Sequence, residues 1–263
     1  MINKQIKILL LKSIPSRLSP KNHLISLIKE KACNQVIQGI FSGLQYVNDS
    51  VGSAYLPKLL GTYEQELHPV IEEIIHKNFS YIINIGAGEG YYAIGLARRL
   101  KEARVDAYES DERGRHLLTE MSVLNSVQDQ VRVYAHCGIE DLRQSLSTAQ
   151  KTLVLCDVEG SEGDLLDMTH IPSLAQSYIL VELHESMRPG VTTSLKMHFA
   201  NTHEIMQIWQ QNRTATDFPF TNLSTRLLPN HYLRWAMNEK RPERMSWLWM
   251  RPKFLAQTGH VSG

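Results

Sequence analysis

From about residue 61 to 209 the chain alternates two kinds of apolar pattern. Short, continuous, β-branched runs read as buried strands: Tyr81–Ile85, Val105–Glu109, Val131–Tyr134, Thr152–Cys156 and Tyr178–Val181. Between them, apolar residues recur at helical spacing. They include Leu67, Ile71, Ile74 and Ile75, then Ile94, Ala97 and Leu100, then Leu117, Leu118, Met121 and Leu124, and then Leu142 and Leu146. Residues 191–201 read as a further helix. Alternation of this kind predicts an α/β fold with a mainly parallel sheet and helices on both faces. His203–Trp209 and Met245–Met250 alternate as two more strands and predict an antiparallel hairpin at its edge.

The flanks are less regular. Apolar residues at 24–28 and 36–41 predict two short amphipathic helices within an N-terminal helical extension, 1–60. Thr62 and Gln65 could cap the helix that follows, although Pro69 argues for a later start. Pro219, Pro229 and Pro242 break up residues 213–244, an expected loop-rich insertion in a main domain of 61–254. Residues 255–263 read as a frayed tail.

Composition narrows the classes. With 263 residues, 43% of them hydrophobic, the chain can bury a sizeable core, and a net charge of +1 gives no global attraction to nucleic acid or acidic membranes. Cys33, Cys137 and Cys156 lack CxxC spacing and read as reduced thiols of a cytoplasmic protein. No stretch has the ~20 apolar residues of a membrane span. Leu9–Leu11 lies between Lys7 and Lys12 with no small-residue cleavage site after it, so a signal peptide is not expected.

The candidate chemistry gathers at strand ends. After Ile85 come Gly86, Ala87, Gly88, Glu89 and Gly90, a G-x-G-x-G turn opening directly into a helix. Glycines there permit positive φ and let a ligand lie against the backbone, beside the N–H groups of a helix's first turn. Dinucleotide folds favour G-x-G-x-x-G, but that third glycine is Tyr91 here, and no Gly-Lys-Ser/Thr ending marks a P-loop. Glu109, about twenty residues on, ends the second strand, where a carboxylate can accept both hydroxyls of a ribose. The fourth strand runs into Asp157-Val158-Glu159-Gly160-Ser161-Glu162, and the fifth into Glu182-Leu183-His184. Buried strands ending in acids are unfavourable unless the acids face a crevice with partners. Alternation points Glu182 and His184 to one side, so Asp157, Glu159, Glu182 and His184 can converge. That cluster could act as a general base, bind a divalent ion or be hydrogen-bonded without catalysis. No HExxH-type spacing supports a metal, and none is expected. Glu162 reads as a residue that caps or faces the next helix.

The glycine turn followed by the spaced acid resembles motifs I and II of class I S-adenosylmethionine (SAM) methyltransferases. Gly61-Thr62-Tyr63-Glu64 and Asp157-Val158-Glu159-Gly160-x-Glu162 resemble the FkbM-type family among them, over about residues 60–210. This chain has Asn84 where that family often has Asp, and Gly88 where it often has Asn. The resemblance implies a Rossmann-like seven-stranded class I methyltransferase fold and SAM as cofactor. It implies cofactor contacts from Tyr63, Glu64, Gly86, Ala87, Gly88, Glu109, Ser110, Gly138, Glu140 and Asp157. His184, Asp157 and Glu159, in that order, are the candidates for the proton-abstracting group. The expected activity is O-methylation of a sugar or other small hydroxylated metabolite, with 213–244 on the substrate side and no nucleic-acid partner. An NAD-dependent Rossmann oxidoreductase and a SAM-fold binding protein without turnover are the alternatives.

Overall fold

The computed structural model describes residues 19–147 and 151–253. The readings of the Leu9–Leu11 run and of the 255–263 tail lie outside them. The described residues form two compact units.

The larger unit holds residues 47–53, 64–147, 151–211 and 241–253. Helix α1 (His68–Lys77) leads to β1 (Tyr81–Ile85), and α2 (Tyr91–Arg99) to β2 (Arg104–Tyr108). Next come α3 (Glu112–Leu124), β3 (Val131–Tyr134), α4 (Ile139–Ser147) and β4 (Thr152–Cys156). The short α5 (Glu162–Leu165), β5 (Tyr178–Leu183), α6 (Val191–Phe199), β6 (His203–Trp209) and β7 (Ser246–Pro252) complete it. Pro69 sits in the first turn of α1, where a missing N–H costs nothing, so this helix starts at His68. Thr62 donates its hydroxyl to Pro57 O and forms no capping box.

The seven strands lie in the order β3-β2-β1-β4-β5-β7-β6. β1 to β5 pair in parallel, and β7 runs antiparallel between β5 and β6. This is the expected Rossmann-like sheet of the class I methyltransferase fold, edge hairpin included. Its core explains the apolar runs. Ile83, Val154, Ile179 and Leu248 lie on neighbouring strands, are fully buried and pack with Leu142, Leu174 and Phe199. The strand order reverses between β1 and β4, and in open α/β sheets that reversal opens a crevice beyond the strands' carboxyl ends.

The smaller unit holds residues 19–46, 54–63 and 212–240. Ser19 caps a helix over Pro20–Ala32, as its apolar pattern predicts. Residues 36–41 are not helical. They form turns with Gly39 and Gly43 at φ +78 and +77, closed by a Gln35–Gln45 bridge, and apolar spacing alone misreads them. The stretch expected to be loop-rich carries two short helices, Leu223–Leu227 and Asn230–Ala236. Arg213 and Glu239 form a buried ion pair in this unit, and Arg213 Nε also donates to Thr62 O.

Candidate functional site

The glycine turn and the end of β4 are built into each other. The Asp157 N–H donates to Ile85 O at 2.9 Å, carrying the β1–β4 ladder one residue past the end of β4. A side chain at Gly86 would place its Cβ 1.7 Å from Asp157 O, so only glycine fits, and its φ is +76. The Gly86 and Ala87 N–H groups both donate to Tyr108 O, at 2.9 Å. Gly88 and Gly90 also take positive φ, and a Cβ at Gly90 would strike Leu118. The turn therefore lies at the β1/β4 reversal with helix α2 starting from it.

Glu109 reaches this turn from the tip of β2. Its carboxylate accepts the Gly88 N–H at 2.6 Å and the Asp111 N–H at 2.7 Å. Gly114 makes room for it, since a Cβ there would lie 2.8 Å from Glu109 Cγ. Asn84, in the strand leading to the turn, is buried, and its Oδ1 has no hydrogen-bond partner among the described residues. An orphan acceptor and a carboxylate resting on a backbone N–H are polar capacity that a hydroxylated or amine-bearing ligand can take up.

Other sequence candidates lie farther along the sheet or outside this unit. The Ser110 carbonyl accepts from Arg115. The Gly138 N–H donates to Asp141, while Glu140 is exposed and paired with Arg143 in the first turn of α4. Tyr63 is buried in the smaller unit beneath the Lys58 ammonium.

Beyond β4 and β5 the expected convergence takes place. One ligand atom each from Asp157, Glu182 and His184 lies within 4.8 Å of the others. Glu159 is outside that group. It stands exposed at φ +52, beside Gly160 at φ +103. Glu162, read from sequence as a helix-facing residue, is fully buried, and its Oε1 lies 2.5 Å from His184 Nδ1. The other ring nitrogen, Nε2, is 3.6 Å from Asp157 Oδ1.

Three more residues close the cluster. Arg241, from the segment before β7, donates from Nη1 to Glu182 at 2.5 Å and from Nη2 to Glu64. Tyr92 donates its hydroxyl to the second Glu64 oxygen at 2.5 Å. Glu64 is buried and holds a left-handed φ of +45, the strained kind of backbone that accumulates at functional sites. Sequence reasoning named Glu64 and missed Arg241 and Tyr92. No spacing links Arg241 to Glu64, 177 positions away.

These contacts set the charge states. Burial pushes the Glu182 carboxyl well above its ordinary value, with the Asp157 and Glu64 charges adding to it. Burial also raises Asp157, to about 6, against the pull of His184. Burial would lower His184, but the hydrogen bond to Glu162 and the charges of Asp157, Glu162 and Glu159 win and raise it. Glu162 is the converse. Burial works to raise it, and the bonds from His184 and the Gly160 N–H hold it below its ordinary value. The cluster thus holds a carboxyl raised by burial, Glu182, beside the Arg241 guanidinium, an acid–imidazole pair, Glu162 and His184, and one acid, Asp157, whose side chain is partly open to solvent. Asp157, Glu182 and His184 come close together, but the Glu182 carboxyl is already taken up by the Arg241 guanidinium.

No family model and no curated protein matches the sequence. Solved structures give weak likenesses. A Klebsiella pneumoniae protein assigned as an O-methyltransferase aligns at 13% identity and TM-score 0.47, covering 94% of this chain and 96% of that one. The precorrin-6y C5,15-methyltransferase of Geobacter metallireducens aligns at 8% and 0.44, covering 70% of this chain and 87% of that one. M. jannaschii TYW2, solved with AdoMet, aligns at 16% and 0.41, covering 72% and 77%. The fold stands on the strand order itself.

Proposed function

We propose that this chain is a SAM-dependent methyltransferase of the FkbM type that methylates a hydroxyl of a small, polyhydroxylated acceptor such as a sugar. The observation that carries the reading is the junction at the sheet's reversal point. There a glycine turn, its N–H resting on Glu109, abuts the Asp157 segment, and His184 stands beside Asp157.

Glu109 would take the ribose hydroxyls, and the backbone of Gly86, Ala87 and Gly88 would lie against the cofactor. Asn84 and Glu64 are the polar groups offered to its amino-acid end. When bound, SAM supplies a methyl group on a sulfonium that is its own leaving group. The protein's task is then mainly alignment, which can contribute several kcal/mol to lowering the barrier. His184 accepts the acceptor hydroxyl's proton at Nε2, a contribution of typically ~10²–10⁴-fold in rate. A raised His184 must lose its own proton first, so the rate climbs with pH through a value above 6.5, the ordinary imidazole value.

The test is transfer of labelled methyl from SAM to a panel of sugars and other hydroxylated acceptors. His184→Ala is expected to abolish turnover while keeping SAM affinity. Loss of SAM binding in that variant would make His184 a binding residue. Full activity in it would remove His184 from the chemistry.

A further inference from the structure

We propose that Glu162 is the positioning residue of His184: it holds the imidazole with its proton on Nδ1 and leaves Nε2 as the atom that accepts a proton. The consequence for rate rests on the methyltransferase reading; the claim about the imidazole does not.

The reason begins with what Glu162 gives up. A carboxylate at the first position of a helix ordinarily lies in solvent and bonds the free N–H groups of the first turn. Glu162 is instead 0% exposed, and its Oε2 has no hydrogen-bond partner among the described residues. Leaving a buried charge so poorly solvated is costly unless its other oxygen is strongly bonded. That bond is the 2.5 Å contact to His184 Nδ1, short enough for a charge-assisted hydrogen bond.

An ionised carboxylate can only accept, so the proton between the two lies on Nδ1. In the neutral ring this makes Nε2 the basic nitrogen. Nε2 lies 3.6 Å from Asp157 Oδ1, beyond hydrogen-bond reach, so that contact does not commit it as a donor. The titratable groups facing the ring are Glu162 from α5, Asp157 from the end of β4, Glu159 from the loop between them and Glu182 from β5, whose carboxyl lies within 4.8 Å of an imidazole nitrogen. All four are acids, and of these Glu162 is the one bonded to Nδ1.

A rival role is purely structural. Glu162 Oε1 also accepts the Gly160 N–H at 3.0 Å and could simply tie down the 157–162 loop. The two roles separate in Glu162→Gln, whose carbonyl can still accept from both donors but carries no charge.

The experiment is ¹⁵N NMR of the His184 ring across pH, on the free protein, for wild type, Glu162→Gln and Glu162→Ala, with thermal melts to check folding. In wild type the neutral ring is expected to carry its proton on Nδ1. In Glu162→Gln the ring's titration midpoint falls, and in Glu162→Ala the tautomer shifts toward Nε2–H. With an acceptor in hand, the Glu162→Gln rate profile moves to lower pH with it, kcat drops by at least ~10-fold, and KM for SAM stays unchanged. A wild-type neutral ring protonated on Nε2, or a folded Glu162→Gln with unaltered titration, overturns the proposal. A chain that shows the Nδ1 tautomer but methylates nothing would sink the methyltransferase reading and leave the positioning role of Glu162 intact.

Discussion

The carboxylate of Glu109 rests 2.6 Å from the backbone nitrogen of Gly88, so the end of β2 and the glycine turn after β1 are joined by one side chain. The same carboxylate accepts the Asp111 N–H, so it is a structural tie as well as the group proposed to take the ribose hydroxyls. Glu109→Ala should weaken SAM binding by at least ~10-fold and cost about 1–3 kcal/mol of stability through the orphaned N–H groups. Titration and a thermal melt read the two separately. Unchanged SAM affinity in a folded variant would remove Glu109 from the cofactor site.

Gly86 tests the junction at the reversal point. An alanine there would drive Cβ into the Asp157 carbonyl and also force a left-handed φ. Gly190 has a similar φ, +87, but nothing within 4 Å of its would-be Cβ. Gly190→Ala should therefore cost only ~1 kcal/mol, whereas Gly86→Ala should cost more than ~3 kcal/mol or prevent folding. Denaturant melts of the pair decide; equal losses would contradict the packing described.

Arg241 offers a comparison between buried and exposed ion pairs. It is mostly buried between Glu182 and Glu64, whereas Arg188 pairs with Asp164 at the surface. Removing Arg241 strands two buried carboxyls, so Arg241→Ala should lose about 3–5 kcal/mol. Arg188→Ala should lose under ~1 kcal/mol. Similar losses in both would show that the Arg241 network is not buried as described.

Glu182 gives stability a pH dependence of definite sign. Its folded value lies well above the 4.5 of the unfolded chain. The stabilisation is therefore complete below about pH 4.5 and is lost as pH rises through the folded value. Asp157, raised from 3.8 to about 6, adds the same sign. Glutamine is the shape of the neutral acid, so Glu182→Gln should flatten the decline in melting temperature on the alkaline side. A variant that declines as steeply as wild type would show that Glu182 is not the group responsible.

Much of the larger unit was legible because buried parallel strands leave continuous apolar runs. The runs at Tyr81–Ile85 and Thr152–Cys156 match strands residue for residue. The glycine turn and Glu109 were legible for a different reason: backbone approach and strand-tip position impose residue types at fixed spacing. Residues 36–41 misled because their apolar spacing fits a helix, while Gly39 and Gly43 turn the chain left-handed. Convergence of Glu182 and His184 with Asp157 followed from alternation along adjacent strands. Glu162 and Arg241 could not be assigned that way. Their partners lie 22 and 177 positions off and meet them only once the sheet has formed. Within the D-V-E-G-S-E segment, the residue that looked most like a helix start is the one that grips the imidazole.

The glycine turn, with Glu109, is the proposed SAM site. Calorimetric titration of the purified protein with SAM and, separately, with NAD(H) tests it most directly. SAM should bind, and binding should weaken sharply in Gly88→Arg and Glu109→Ala. Binding of NAD(H) without SAM would instead make the chain an oxidoreductase, and binding of neither would contradict the account of the site.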